Sequence, residues 1–186
     1  MASRRPTTDS DFPIMRVLDY QPAVHAPDSQ KLALIARVPL GDLDPSVVPG
    51  PPSPSNLYAY VFSYYDPGDY FLDNITYHGT ADEWEFLRQG YTQVIIAGED
   101  AYEFSPGLTA SVFSHDPADE MSFIGGSPRF LQNERNEHLD DYLFVAQIAG
   151  GDLPEGLDDL FYLRGAVGYL FVKKDLSGGA FFVQVT

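Results

Sequence analysis

The chain contains no cysteine. That excludes disulfides, thiolate metal ligands and a cysteine nucleophile. Positive charge is scarce: 11 Lys and Arg stand against 27 Asp and Glu, for a formal net charge of −16. A surface of that sign repels phosphate backbones, so direct nucleic-acid binding is not expected. Anionic membrane surfaces are disfavoured for the same reason. No apolar run approaches the roughly 20 residues that a membrane-spanning helix requires. Met1 to Thr8 carries Arg4 and Arg5 but no apolar stretch after them, so a secretory signal is not expected and the location expected is cytoplasmic.

What the chain does contain is a statement made nearly twice. Ile35-Ala36-Arg37-Val38-Pro39-Leu40-Gly41-Asp42-Leu43 is answered 110 residues later by Val145-Ala146-Gln147-Ile148-Ala149-Gly150-Gly151-Asp152-Leu153. Tyr60-Val61-Phe62-Ser63-Tyr64-Tyr65-Asp66 is answered 109 residues later by Tyr169-Leu170-Phe171-Val172-Lys173-Lys174-Asp175. Two matched segments in one order predict a duplicated supersecondary unit. Two halves, about 13–110 and 111–186, would form one globular unit behind a solvated tail at 1–12, because each half alone would bury too little surface.

The pattern predicts an α+β fold, mostly antiparallel β, with one or two short helices. Strands are expected over Ile14–Tyr20, Leu32–Val38, Leu57–Tyr64, Tyr70–Tyr77, Tyr91–Ala97, Leu108–His115, Tyr142–Ala149, Ala166–Lys173 and Ala180–Val185, all rich in aromatic and β-branched residues. Tyr58, Tyr60, Phe62 and Tyr64 alternate onto one face. Asp66-Pro67-Gly68-Asp69 reads as a turn. Thr80-Ala81-Asp82-Glu83 is a capping box opening a helix, with Trp84 and Leu87 on one face and Gly90 at its stop. Glu155–Leu163 is either a second helix or an irregular loop. The Pro-rich stretch Val47–Ser55 is an extended connection.

Few residues suggest chemistry. Gly125-Gly126-Ser127-Pro128 is Gly-rich, but no Lys-Ser or Lys-Thr follows, so a tight turn is expected in place of a phosphate loop. His25, His78, His115 and His138 are scattered. His115, Asp116, Asp119 and Glu120 could offer ligands, yet a metal site needs three or four that converge, and no metal or cofactor is expected. Adjacent carboxylates such as Glu99-Asp100, Asp140-Asp141 and Asp158-Asp159 point to opposite faces of a strand and make poor acid–base pairs. No G-x-S-x-G elbow is present. Tyr65, Tyr70, Tyr102 and Tyr162 lie in turns, where tyrosine either covers a sheet or forms a contact surface.

Gly125-Gly126-Ser127-Pro128, Gln132, Tyr142–Ile148, Gly168–Val172, Asp175-Leu176 and Phe181–Val183 together resemble the bacterial YwqG-like family. The likeness covers roughly 123–186 well and the first half more loosely. It departs at Ala149, where the family often has Asp, and at Arg37, where it often has Gln. The resemblance implies a bacterial protein of two related halves, a single domain over 13–186, and no catalytic residues. Some relatives look like immunity proteins encoded beside toxins.

The function expected is therefore a non-catalytic immunity protein whose acidic surface neutralises a basic toxin domain. The candidate contact residues are Glu99, Asp100, Glu103, Asp116, Asp119, Glu120, Glu134, Glu137, Asp140 and Asp141. A carboxylate- or metal-dependent hydrolase and a cytoplasmic adaptor are the alternatives.

Overall fold

Alternation of β-branched and aromatic residues builds two antiparallel sheets. In the computed structural model, residues 32–41, 43, 56–66, 68–102, 121–132, 137–153, 157 and 159–186 are described. The first sheet is a meander of β1 (Ala33–Pro39), β2 (Tyr58–Ser63) and β3 (Thr92–Ala97). The second is a meander of β4 (Phe123–Ile124), β5 (Tyr142–Ala149), β6 (Val167–Lys173) and β7 (Gly179–Gln184). Two short helices, α1 (Leu72–Ile75) and α2 (Ala81–Leu87), lie between β2 and β3. The fold is α+β and mostly antiparallel, as the sequence pattern predicts. The expected strands Ile14–Tyr20 and Leu108–His115 and the connection Val47–Ser55 lie outside the described residues.

Each sheet buries both faces. Ala36, Val38, Ala59, Val61 and Val94 of the first sheet share one apolar cluster with Ala146, Ile148, Leu170, Phe181 and Val183 of the second. Leu34, Tyr60 and Phe62 face outward into a smaller cluster, joined by Tyr58 and Tyr64. Those four aromatics share a face because side chains alternate along a strand. The outer face of the second sheet carries Tyr169, Phe171 and Phe182, covered by Trp84 and Leu87 of α2 and by Tyr77.

The sheets meet along β3 and β7. The Thr92 hydroxyl donates to the Phe181 carbonyl at 2.6 Å, and the Tyr77 amide donates to the Val183 carbonyl at 3.1 Å. Two carbonyls on the outer edge of β7 are thereby satisfied, so the edge is closed without a further strand.

The matched sequence segments occupy matched places. β1 and β5 each slip register by one residue, at Ile35 and at Val145, and resume with Ala36 opposite Val61 and Ala146 opposite Leu170. The likeness is thus one of local geometry as well as of sequence; duplication itself is not shown by it.

Tyr70–Tyr77, expected as a strand, is instead a turn leading into α1. Leu72 and Ile75 are buried three positions apart, on one side of a helical turn, and the Thr76 hydroxyl back-bonds to the Leu72 carbonyl at 2.7 Å. Burial of these two side chains overrides the strand propensity of the aromatics. Only Thr76 keeps a β-bridge, to Val183. In Glu155–Leu163 the described residues form turns, not a helix.

α2 forms as its caps dictate. Thr80 accepts from the Glu83 amide, and the Glu83 carboxylate accepts from the Thr80 amide and from the amide and ring of His78. Burial alone would raise the Glu83 pKa, but these hydrogen bonds outweigh it and hold the carboxyl below its ordinary value. A depressed carboxyl stabilises the fold above its unfolded-state pKa, and that contribution is lost as pH falls through the folded-state pKa. Urea unfolding of the wild type and Glu83→Gln will therefore differ at neutral pH and converge as pH falls through the carboxyl's lowered folded-state pKa; a gap that does not change with pH would contradict this account.

Gly179 sets the seam. A Cβ there would lie 2.2 Å from the Phe171 carbonyl oxygen and 2.9 Å from Val94 Cγ1. Gly179→Ala is expected to cost about 3 kcal/mol in urea unfolding, the upper end for over-packing. At Gly98 a Cβ meets nothing within 4 Å, so Gly98→Ala serves as the near-neutral control.

Candidate functional site

Three elements converge at one corner of the molecule. The turn after β2 brings Tyr65 and Tyr70, α1 is preceded by Phe71, and the turns before β6 bring Tyr162. The Tyr70 and Tyr162 rings meet edge to face at 4.9 Å, Phe71 and Tyr162 at 5.7 Å, and Tyr65 and Phe71 at 5.6 Å. Phe71 is buried and anchors the group, while Tyr70 is 50% exposed, Tyr162 41% and the adjoining Leu163 44%. Large apolar side chains grouped at the surface mark contact sites more often than singly exposed ones do.

Carboxylates are wired into the rings. The Tyr70 hydroxyl donates to Asp73 at 2.8 Å, and the Tyr65 hydroxyl donates to Asp159 at 2.7 Å. The hydrogen bond to Asp73 raises the Tyr70 pKa, helped by slight burial, so the phenol stays a donor. Asp66 and Asp69 turn the chain between the two tyrosines by accepting the amides of Gly68 and Tyr70, both at 2.8 Å. Described charges within three residues of Tyr65, Tyr70 or Tyr162 are Asp66, Asp69, Asp73 and Asp159 against Arg164.

Tyr162 has φ of +66°. A bulky residue in the left-handed region costs about 1–2 kcal/mol and persists only where its surroundings enforce it. Here the conformation sets the ring against Tyr70 and Phe71.

Three of the four turn tyrosines expected as candidates thus come together. The fourth, Tyr102, packs on Tyr60 and Phe62 at 5.0 and 5.1 Å and belongs to the outer cluster of the first sheet. Of the acidic candidates, Glu99 and Asp100 are exposed at the end of β3, where the Tyr60 hydroxyl donates to the carbonyls of Gly98 and Glu99. Glu137, Asp140 and Asp141 are exposed just before β5, in the other sheet. Glu103, Asp116, Asp119, Glu120 and Glu134 lie outside the described residues, as does His115. The four aspartates near these tyrosines, Asp66, Asp69, Asp73 and Asp159, are not among the acidic candidates. Their signal is an acid within three residues of each tyrosine: Tyr65-Asp66, Asp69-Tyr70, Asp73 three after Tyr70 and Asp159 three before Tyr162.

Elsewhere a cleft of about 440 Å³ opens between α2, the start of β3 and the β6–β7 turn, lined by Trp84, Arg88, Tyr142 and Lys173. Asp141 and Asp175 flank its neighbour. Burial raises the Tyr142 pKa, opposed by Arg88. Among the described residues no three His, Cys, Asp or Glu gather as a metal site, and no helix is long and apolar enough to cross a membrane.

Gly125-Gly126-Ser127-Pro128 is a turn, as expected: Gly125 and Gly126 have φ of +76° and +72°. Three fully buried side chains grip the segment that follows. Gln147 Oε1 accepts the Arg129 amide at 2.9 Å, and the Tyr169 hydroxyl donates to the Arg129 carbonyl at 2.8 Å. Gln184 Oε1 accepts the amides of Leu131 and Gln132 at 3.0 and 3.1 Å, while its Nε2 donates to the carbonyls of Gln132 and Tyr77. Burial pushes the Tyr169 phenol up to about 12, against the pull of its hydrogen bond from Leu131, so it remains a donor. Gln184→Ala strands buried backbone groups and is expected to cost about 2–3 kcal/mol, with amide exchange accelerating most at Leu131 and Gln132; exchange unchanged there would refute the grip.

No family model, no curated protein and no solved structure matches the chain.

Proposed function

We propose that this chain is a non-catalytic binding protein that occludes a basic protein partner, and that the partner is an antibacterial toxin domain. The observation that carries the reading is the half-exposed Tyr70–Tyr162 pair on a buried Phe71, with carboxylates bonded to the neighbouring phenols. Tyrosine gives large, stiff contact area at little entropy cost and is enriched where binding energy concentrates. The net charge of −16 supports a basic partner, because it speeds encounter and rejects acidic competitors. The contact surface proposed is the aromatic corner, with Glu99, Asp100, Glu137, Asp140 and Asp141 adding to the long-range field.

Toxin neutralisation is the form of this reading that the family resemblance suggests. An inhibitor of this kind needs a rigid scaffold and a complementary face, and the corner is built on side chains anchored in the core. The test is capture of the product of the adjacent gene by the tagged protein across a salt series, with growth of co-expressing cells. Wild type should retain a basic partner at low salt and restore growth. Tyr162→Asn tolerates the left-handed backbone while removing the ring, and it should weaken capture at least tenfold, as loss of an interface anchor does. Charge reversal at Glu99 and Asp100 should change the salt dependence more than the affinity. Capture indifferent to Tyr162 and Tyr70 would overturn this placement of the contact surface.

A further inference from the structure

The chemistry of the aromatic corner specifies more than a basic partner, on the premise that the corner is the contact surface. Two ring systems stand half exposed and in contact, Tyr70 and Tyr162. The phenol of Tyr70 donates to Asp73, and that of Tyr65, packed behind them on Phe71, donates to Asp159. A phenol that donates to a carboxylate gains electron density in its ring, and an electron-rich ring face attracts cations. The same hydrogen bonds hold the Asp73 carboxylate at the Tyr70 hydroxyl and the Asp159 carboxylate at the Tyr65 hydroxyl. Asp69 and Asp66 add negative charge along the turn, and Arg164 opposes it with a single positive charge.

A flat, delocalised cation that stacks on an aromatic face and donates sideways to carboxylates matches this arrangement. Among protein side chains that is arginine. Its guanidinium is more weakly hydrated than an ammonium, stacks on rings and presents a fork of donors to carboxylates, whereas lysine offers a compact, strongly hydrated charge. We propose that the corner is an arginine-recognition site: a guanidinium of the partner stacks on one exposed ring face of the edge-to-face Tyr70–Tyr162 pair and donates to the Asp73 and Asp159 carboxylates.

Three features of the fold favour this use of the corner. Tyr162 holds a left-handed backbone, spanned by the Leu163 amide bonded to the Phe161 carbonyl at 2.7 Å, that sets its ring against Tyr70 and Phe71. Asp66 and Asp69 spend one oxygen each on turn amides, which fixes the loop carrying Tyr70. The anchor beneath, Phe71, is 1% exposed, so the rings sit on a rigid base. A preorganised face of this kind loses little entropy on binding a side chain.

The test uses the full chain and end-blocked tripeptides Gly-Xaa-Gly, in which Xaa is arginine, lysine or citrulline, the neutral isostere of arginine. Titrations are followed through the ring resonances of Tyr70 and Tyr162 by NMR. The arginine peptide should bind in the millimolar range, roughly tenfold tighter than citrulline and several-fold tighter than lysine, the margin expected of cation–π contact with charge-assisted hydrogen bonds. Tyr162→Asn should abolish the response, and Tyr70→Phe, which keeps the ring but loses the bond to Asp73, should weaken it a few-fold. Equal binding of arginine and citrulline, equal binding of arginine and lysine, or shifts that map away from both rings would overturn the proposal. If the arginine peptide fails while partner capture still depends on Tyr162, the arginine assignment falls and the contact surface stands. If capture is also indifferent to Tyr162, both fall.

Discussion

Along the seam between β3 and β7, Val94 occupies the space that a side chain on Gly179 would need, and the Thr92 hydroxyl closes the carbonyl of Phe181. The close approach lets the inner faces of two small sheets form one apolar cluster. Neither sheet alone has enough partners to bury that face, since small cores recover too little surface to offset chain entropy. Once the seam exists, the outer faces must be covered too. α2 and Tyr77 cover the second sheet, and Tyr102 contributes to the cover on the first.

Covering the outer faces brings backbone into places without water, and the chain answers with buried polar side chains. Tyr60 and Tyr169, which stand at matched positions, each turn a hydroxyl toward the carbonyls of a neighbouring loop. Gln147 and Gln184 complete the grip in the second sheet, and Arg37, at the position matching Gln147, donates to the Glu99 carbonyl in the first. The shared logic is satisfaction of backbone groups by side chains projecting from the sheet. Gln147 does this from a fully buried position, whereas the matching Arg37 reaches an exposed carbonyl at the end of β3.

The aromatic corner follows from the same architecture. Phe71 belongs to the shared core, so the rings packed edge to face against it are fixed relative to both sheets. The acidic surface acts at a distance and without direction, falling off over about 8–10 Å in physiological salt. In the function proposed above, the corner would act at contact and with shape, the field serving encounter and the anchors residence.

Much of this was legible in the chain. The alternation of Tyr58, Tyr60 and Phe62, the uninterrupted run of β5 and the Thr80–Glu83 box report purely local physics, and β2, β5 and α2 appear as expected. Where propensity misled, at Tyr70–Tyr77, the deciding term was burial of Leu72 and Ile75 against β7 and the core, which no local rule contains. The buried roles of Gln147, Gln184 and Thr92 were invisible for the same reason, because their partners lie 18 to 107 residues away. Charge and tyrosine content alone determined that this is an acidic protein with aromatic side chains to spare. Which tyrosines are spare was decided only by tertiary packing: Tyr102 was drawn into a sheet face, while Tyr70 and Tyr162, carried on turns from distant parts of the chain, were left half in water beside their aspartates. A residue's exposure depends on everything packed around it, and that is a property of the fold and not of the residue.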